Sequence, residues 1–455
     1  MKGEKALTLR ISPAPYYTGI AFFLISLALL FLTVVDIRRG FLFAPDYFKI
    51  GSPSVLFNFN LGHLPMLLVG GLGVWLSYRY LKGFEKGLEG NAVNLKAMTT
   101  FTAVAIGVLM VIDLFTYRGV PASRTLAAGK MGPGAGMFGQ GLAIPVASLP
   151  GWLQPAGDGI NYLLVVWHAT VLGLLLGGLF LVAVGTGGFM DRLKGKGFGS
   201  HVVAAAMALP APFCSCCAAP IGGALFRKGA SLGPVLAFTI AAPMLNITTL
   251  ILAAALLPPE FALLRILGGI IVAVFLTYFV SLVGSRWITE DALSPGSGRI
   301  LSWSSKIMTA YNRLFRFESL LAAESPKSPV TLISNWMSMA GRLARVVIPI
   351  FLVTAPLTAY IVRLMPQTAN TLGGVIVTSF FATLLMSPTW SEIAFAGGMV
   401  ARGFPAIAAV SLITLPAVSI PCLLILSGAI GKMRIAVITG LAVFLVGIAA
   451  GIIFL

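Results

Sequence analysis

Apolar residues fill long, nearly unbroken blocks of this sequence, and short polar stretches between the blocks carry most of its 31 Lys and Arg. The blocks lack the period-two alternation of strands, and many reach the ~20 residues that a helix needs to cross the hydrocarbon core of a bilayer. No water is present there to satisfy backbone N–H and C=O groups, so such blocks must be helices. The pattern predicts an all-α, polytopic integral membrane protein with full spans at about 15–36, 56–79, 97–117, 159–188, 230–257, 260–285, 342–364, 403–428 and 433–455. Two further apolar segments, 199–228 and 372–402, are interrupted near their centres by Pro212 and Pro388 and read as re-entrant hairpins.

The positions of Lys and Arg bear on that reading, because cytoplasmic loops carry the excess of positive charge. With both segments as hairpins and the N-terminus inside, the basic loop 286–345 and most of the other Lys and Arg lie on the cytoplasmic side, and the C-terminus lies outside. Two full crossings would move that loop out and erase the bias. The hairpin arrangement makes segments 159–285 and 342–455 enter the membrane from opposite sides, and these segments also match in sequence. "PFCSCCAAPIGGALFRKGASLGPVLAFTIAAPMLN" aligns with "PTWSEIAFAGGMVARGFPAIAAVSLITLPAVS". The match pairs Pro212 with Pro388, Ser215 with Ser391, Cys216 with Glu392, Gly229 with Gly403, Pro243 with Pro416 and Asn246 with Ser419. The chain therefore divides into 1–158, three flanking spans and an external Gly/Pro-rich loop; 159–285, a first repeat; 286–341, a cytoplasmic linker with an amphipathic surface helix; and 342–455, a second, inverted repeat.

Composition agrees: 58% of residues are hydrophobic and 10% are charged. The net charge of +17 resides in the loops, so it reads as an insertion signal and not as a nucleic-acid footprint. The N-terminal span has no small-residue cleavage site after it and reads as retained. No GxxxxGK[ST], HExxH or GxSxG motif is present, which argues against a self-powered pump or a hydrolase and implies no cofactor.

Inverted repeats with discontinuous helices are the sequence mark of secondary transporters, whose solute sits at the midplane among broken helix ends. The first break holds Cys214, Ser215, Cys216 and Cys217. Unwound backbone would let the three thiols converge as ligands for a soft metal or metalloid, or exchange with reduced sulfur species. Glu392 holds the matching place in the second hairpin, beside Ser391 and Trp390; the breaks are expected to converge on one cavity where these three residues face the thiols and bind the solute, and a carboxylate in a span also marks a pathway or a proton relay. Ser387, Asn246 and Thr248 add oxygen ligands. Asp113, His168 and His63 are further proton-relay candidates. Cys422 stands alone in a span, the pattern of a packing residue. The expected activity is transport of a small thiophilic solute across a bacterial or archaeal cytoplasmic membrane, not catalysis, and a homodimer is among the assemblies open to the chain. A thiol oxidoreductase that passes electrons to a quinone is the competing class.

The stretch "FCSCCAAPIGGALFRKGASLGPVLAFTIAAPMLN" resembles the arsenical permease family, whose signature runs Cys-Ser-Cys, small residues, a basic-Gly-Ala-Ser-Leu-Gly turn and Ala-x-Pro-x-x-Asn. With its weaker second-half echo, the resemblance extends over about 159–455. It implies export of trivalent organoarsenicals with Cys214, Cys216 and Cys217 as ligands. This chain departs from the pattern in its third cysteine and in Trp-Ser-Glu of the second half.

Overall fold

The computed structural model describes residues 14–39, 42, 59–87, 94–127, 144–184, 189–210, 213–293, 313–314, 326–364, 369–387 and 391–455. Regular structure among them is entirely helical. Among the described residues seven helices are long and apolar enough to cross a membrane, or eight if a pair of shorter helices bent by 41° is one broken span. Apart from Arg313 and Leu314, the expected amphipathic helix of the linker falls outside the described residues, as do the tip prolines Pro212 and Pro388 and Trp390.

Three helices precede the repeats: α1 (Ala14–Arg39), α2 (His63–Gly87) and α3 (Leu95–Ala127). The expected span 56–79 begins only at His63, and its helix lies along α1. It carries Arg79 between Tyr78 and Tyr80 and is not one of the seven. Glu85 near its end accepts hydrogen bonds from the Tyr16 hydroxyl at 2.6 Å, the Ser328 hydroxyl at 2.6 Å and the Val330 N–H at 3.2 Å. One carboxylate thus ties this flanking group to the start of the second half.

Each half then repeats one order of elements. The first runs α4 (Gln154–Val184), a short α5 (Phe189–Leu193), hairpin arms α6 (Phe198–Ala208) and α7 (Ser215–Arg227), then the broken helix α8 (Leu232–Met244) and α9 (Ile247–Leu256). A continuous stretch, α10 (Pro259–Ile270), a π-helical segment (Ile271–Leu276) and α11 (Thr277–Leu293), closes it. The second runs α12 (Pro329–Leu364), arms α13 (Leu372–Leu384) and α14 (Ser391–Ala401), broken α15 (Pro405–Ala417) and α16 (Ile420–Ile430), and α17 (Met433–Ile453). Helix α12 begins at Pro329, so the end of the expected linker belongs to its first turns, with the buried Trp336 donating its indole N–H to the Leu175 carbonyl of α4 at 2.7 Å.

The aligned residues do the same work in both halves. Gly229 and Gly403 have φ of 96° and 80°, the left-handed region open to glycine without a side-chain clash. Each closes its hairpin with the same pair of hydrogen bonds: Gly229 N–H to Phe226 and Ala230 N–H to Leu225, against Gly403 N–H to Val400 and Phe404 N–H to Met399. At the breaks, Asn246 and Ser419 each cap the helix that follows, accepting from Thr249 N–H at 2.9 Å and Cys422 N–H at 3.4 Å. Both arms of each hairpin pack on the helix after it, α6 and α7 on α8, α13 and α14 on α15. The second arm also crosses over to the other half's broken helix, α7 onto α16 and α14 onto α9.

The α7–α16 crossing is tight enough to be tested. A Cβ at Gly223 would stand 2.4 Å from the Cβ of Ala429. Gly223→Val must force the helices apart, and overpacking of this kind costs about 1–3 kcal/mol. A lowered apparent Tm in detergent is expected; an unchanged Tm would mean that the crossing is loose.

Candidate functional site

The first hairpin's break puts its polar residues at the start of α7, and the crossover delivers them to the break in α15–α16. Cys214 caps α7, with the N–H groups of Cys217 and Ala218 both donating to its carbonyl at 3.0 Å. That cap folds the side chain back over the first turn, so the Cys214 and Cys217 sulfurs, i and i+3, stand 3.1 Å apart with no disulfide between them. Ser215 and Ser419 share a hydrogen bond at 3.1 Å, and the Cys216 sulfur lies 3.8 Å from the same Ser419 hydroxyl. Cys422, one turn beyond Ser419, is fully buried, and its N–H donates to the Ser419 hydroxyl that also lies against the Cys216 sulfur. Expected to stand alone, it joins the other three cysteines.

Beside the thiols lies a cavity of about 20 Å³, room for about one water. Cys214, Cys216, Cys217, Met110 of α3, Tyr162 of α4 and Phe351 of α12 are among the residues that line it. Gly173 of α4 faces Cys217 so closely that a Cβ would stand 2.9 Å from its sulfur. Cys216 and Cys217 are buried and Cys214 is half-buried, and a solute larger than water needs these helices to part. Among the described residues, no three His, Cys, Asp or Glu side chains are grouped so that they could hold a metal ion.

The second hairpin's matching residue stands elsewhere. Glu392 does not line this cavity; buried in the first turn of α14, it pairs with Arg265 of α10 at 3.1 Å. Arg265 is fully buried and also donates to the carbonyls of Pro243 at 3.0 Å and Leu412 at 2.7 Å. The Leu412 carbonyl needs such a donor, because its partner four residues on is Pro416, which has no N–H. Ser391 hydrogen-bonds Ser387 at 2.7 Å.

The remaining candidates divide between the cavity's rim and capping roles. Asp113 and His168, both buried, pair at 3.4 Å and neighbour the lining residues Leu114 and Ala169 in sequence. Tyr117 stacks on His168 at 4.4 Å, and the Arg38 guanidinium lies 5.8 Å from the Tyr117 ring. His63 accepts the Asn60 N–H at Nδ1, so Nε2 carries the proton donated to Asp36 at 2.7 Å, which pins the start of α2 to the end of α1. The Asn246 side chain is engaged within its own break, donating to Ala242 and accepting from Thr248 and Thr249 at 2.7 Å.

Sequence reasoning missed Arg265, Ser419 and the part played by Cys422. An Arg inside an apolar span was the available signal for the first; for Ser419 it was the alignment with Asn246.

No solved structure matches the chain. The UPF0718 protein YraQ of Escherichia coli (strain K12) is 27% identical over 306 residues, covering 66% of this chain and 80% of that protein. The UPF0718 protein MJ0584 of Methanocaldococcus jannaschii is 24% identical over 337 residues, covering 62% of this chain and 92% of that protein. The profile of the ArsP_1 family, described as predicted permease, matches residues 160–454, the stretch that holds both hairpins and both broken helices. With its duplicated breaks lying inside that match, the chain belongs to this family of permeases, as an integral membrane transporter.

Proposed function

We propose that this transporter moves a small thiophilic solute across a bacterial or archaeal cytoplasmic membrane, with Cys214, Cys216 and Cys217 as its ligands. Efflux of a trivalent metalloid, an organoarsenical or a soft metal is the leading version. The observation that carries it is the convergence of three thiols at the break of the first hairpin on one small cavity, with Ser419 of the second half against Cys216. Sulfur ligands select soft partners, and thiols gathered at the break of a duplicated hairpin sit where such transporters hold their cargo. Orientation with the N-terminus inside and the C-terminus outside belongs to the same proposal, as do Ser215, Ser391, Trp390 and Asn246 as further contributors and Asp113 with His168 as a proton relay beside the cavity. Transport of a reduced sulfur species by thiol contact is the second reading, supported by the adjacent Cys214 and Cys217 sulfurs, which suit thiol exchange.

A binding screen on the purified protein and its Cys216→Ser variant tests this, with a trivalent phenylarsenical, mercuric ion and polysulfide as probes. The arsenical is expected to bind the wild type and to lose at least about tenfold in affinity, ~1.4 kcal/mol, in the variant. Equal binding of all three probes to both proteins would remove the thiols from the solute path. Selective loss of polysulfide binding would favour the second reading.

A further inference from the structure

We propose that Glu392 and Arg265 form the transporter's coupling-ion site, at which one proton is carried per cycle while solute is carried at the thiols. The inference rests on the transport reading above and adds the ion and the residue that controls it.

Positions 216 and 392 are equivalents in the two halves, and each stands at the break of the opposite half. Cys216 meets Ser419; Glu392 meets the Pro243 break through Arg265. The two equivalent junctions therefore carry different chemistry, a soft thiol in one and a fixed charge pair in the other. Thiolate suits soft ligands, whereas this carboxylate is hard and already paired with a cation, so the second junction is not a second copy of the soft-solute site.

Arg265 belongs to the first half, and Glu392 and Leu412 to the second. Its guanidinium thus bonds both broken helices and a hairpin across the line along which the halves meet. Rocking of one half against the other, the motion expected of inverted repeats, must separate these groups. Glu392 would then be a buried carboxylate without its cation, which is unfavourable unless it takes up a proton. Return of Arg265 displaces that proton and restores the ion pair. The balance is one proton bound as the pair opens and one released as it closes, with no oxidant or reductant; release on the opposite side couples the cycle to the proton gradient.

One further observation fits. Among the described residues, Arg265 is the cation paired with Glu392; of the helices packed closely on α14, α9 and α15 contain no ionisable residue, and on α10 the other one is Glu260, exposed at the helix start.

The test uses the full chain in proteoliposomes with an internal pH dye and a trivalent phenylarsenical as the probe. Wild type is expected to accumulate the probe in response to a pH gradient and to move protons when the probe gradient alone is imposed. Glu392→Gln keeps an acceptor for Arg265 but cannot cycle a proton, so it should lose gradient-driven accumulation and proton movement while retaining probe-for-probe exchange and thiol binding. Retained gradient-driven accumulation in Glu392→Gln would overturn the proposal, as would wild-type transport indifferent to pH. Should Glu392→Gln not fold, Arg265→Lys is the second variant: a shifted pH profile of accumulation supports the site, and an unshifted one overturns it. A wild type that neither binds nor moves the arsenical would fail the transport reading itself, a result distinct from uncoupled transport.

Discussion

Arg265→Met is expected to destabilise the protein by about 3–5 kcal/mol, the cost of leaving a buried charge without its partner. Glu392 is 1% exposed, so removal of the guanidinium strands its carboxylate, and the Leu412 and Pro243 carbonyls lose their donor in the same step. Met fills much of the volume but can donate to none of the three. Glu392→Gln alone should cost less, because the amide oxygen still accepts from Arg265 and the cation keeps both carbonyls. The double variant Arg265→Met/Glu392→Gln should recover part of the loss, because the stranded group is then neutral. Unfolding in detergent for the wild type, both single variants and the double variant gives the coupling directly. Additive losses would mean that the pair does not act as a unit and that the two carbonyls account for the cost.

The spans were legible because burial in lipid demands long apolar blocks, and the hairpins because proline and small residues interrupt two of those blocks at matching places. The repeat was legible down to single residues where one backbone geometry demands one residue type. Gly229 and Gly403 both need positive φ, and Asn246 and Ser419 both need a short polar side chain at a helix start. The partners of long or distant side chains were not legible. Arg265 reaches Glu392 across 127 residues of sequence and Leu412 across 147, and no spacing rule encodes which carbonyl a guanidinium finds. Counting every Lys and Arg as an orientation signal also concealed it. The expectation that Glu392 and the cysteines face one cavity came from letting all the breaks converge at one place. Each hairpin instead crosses to the other half's broken helix, so the equivalent residues end at different junctions.

The size of the thiol effect should depend on how many bonds the probe makes to sulfur. A trivalent phenylarsenical forms two As–S bonds and releases two waters, with no change of oxidation state. Cys214 and Cys217 are already 3.1 Å apart and both line the cavity, so the second bond forms within the molecule once the first has formed. Ring closure of this kind can add about 10²–10⁴-fold to affinity. Cys217→Ser is therefore expected to weaken arsenical binding by about 10²-fold or more, whereas methylmercury, which needs one thiolate, should lose less than about tenfold because Cys214 and Cys216 remain. Titration of both probes against the same variant separates chelation from damage to the fold: distortion of the break would weaken the two alike. A large loss for the arsenical alone requires Cys217 to close the chelate, and equal small losses would move the second bond to Cys216 or Cys422, whose buried sulfurs adjoin the same break.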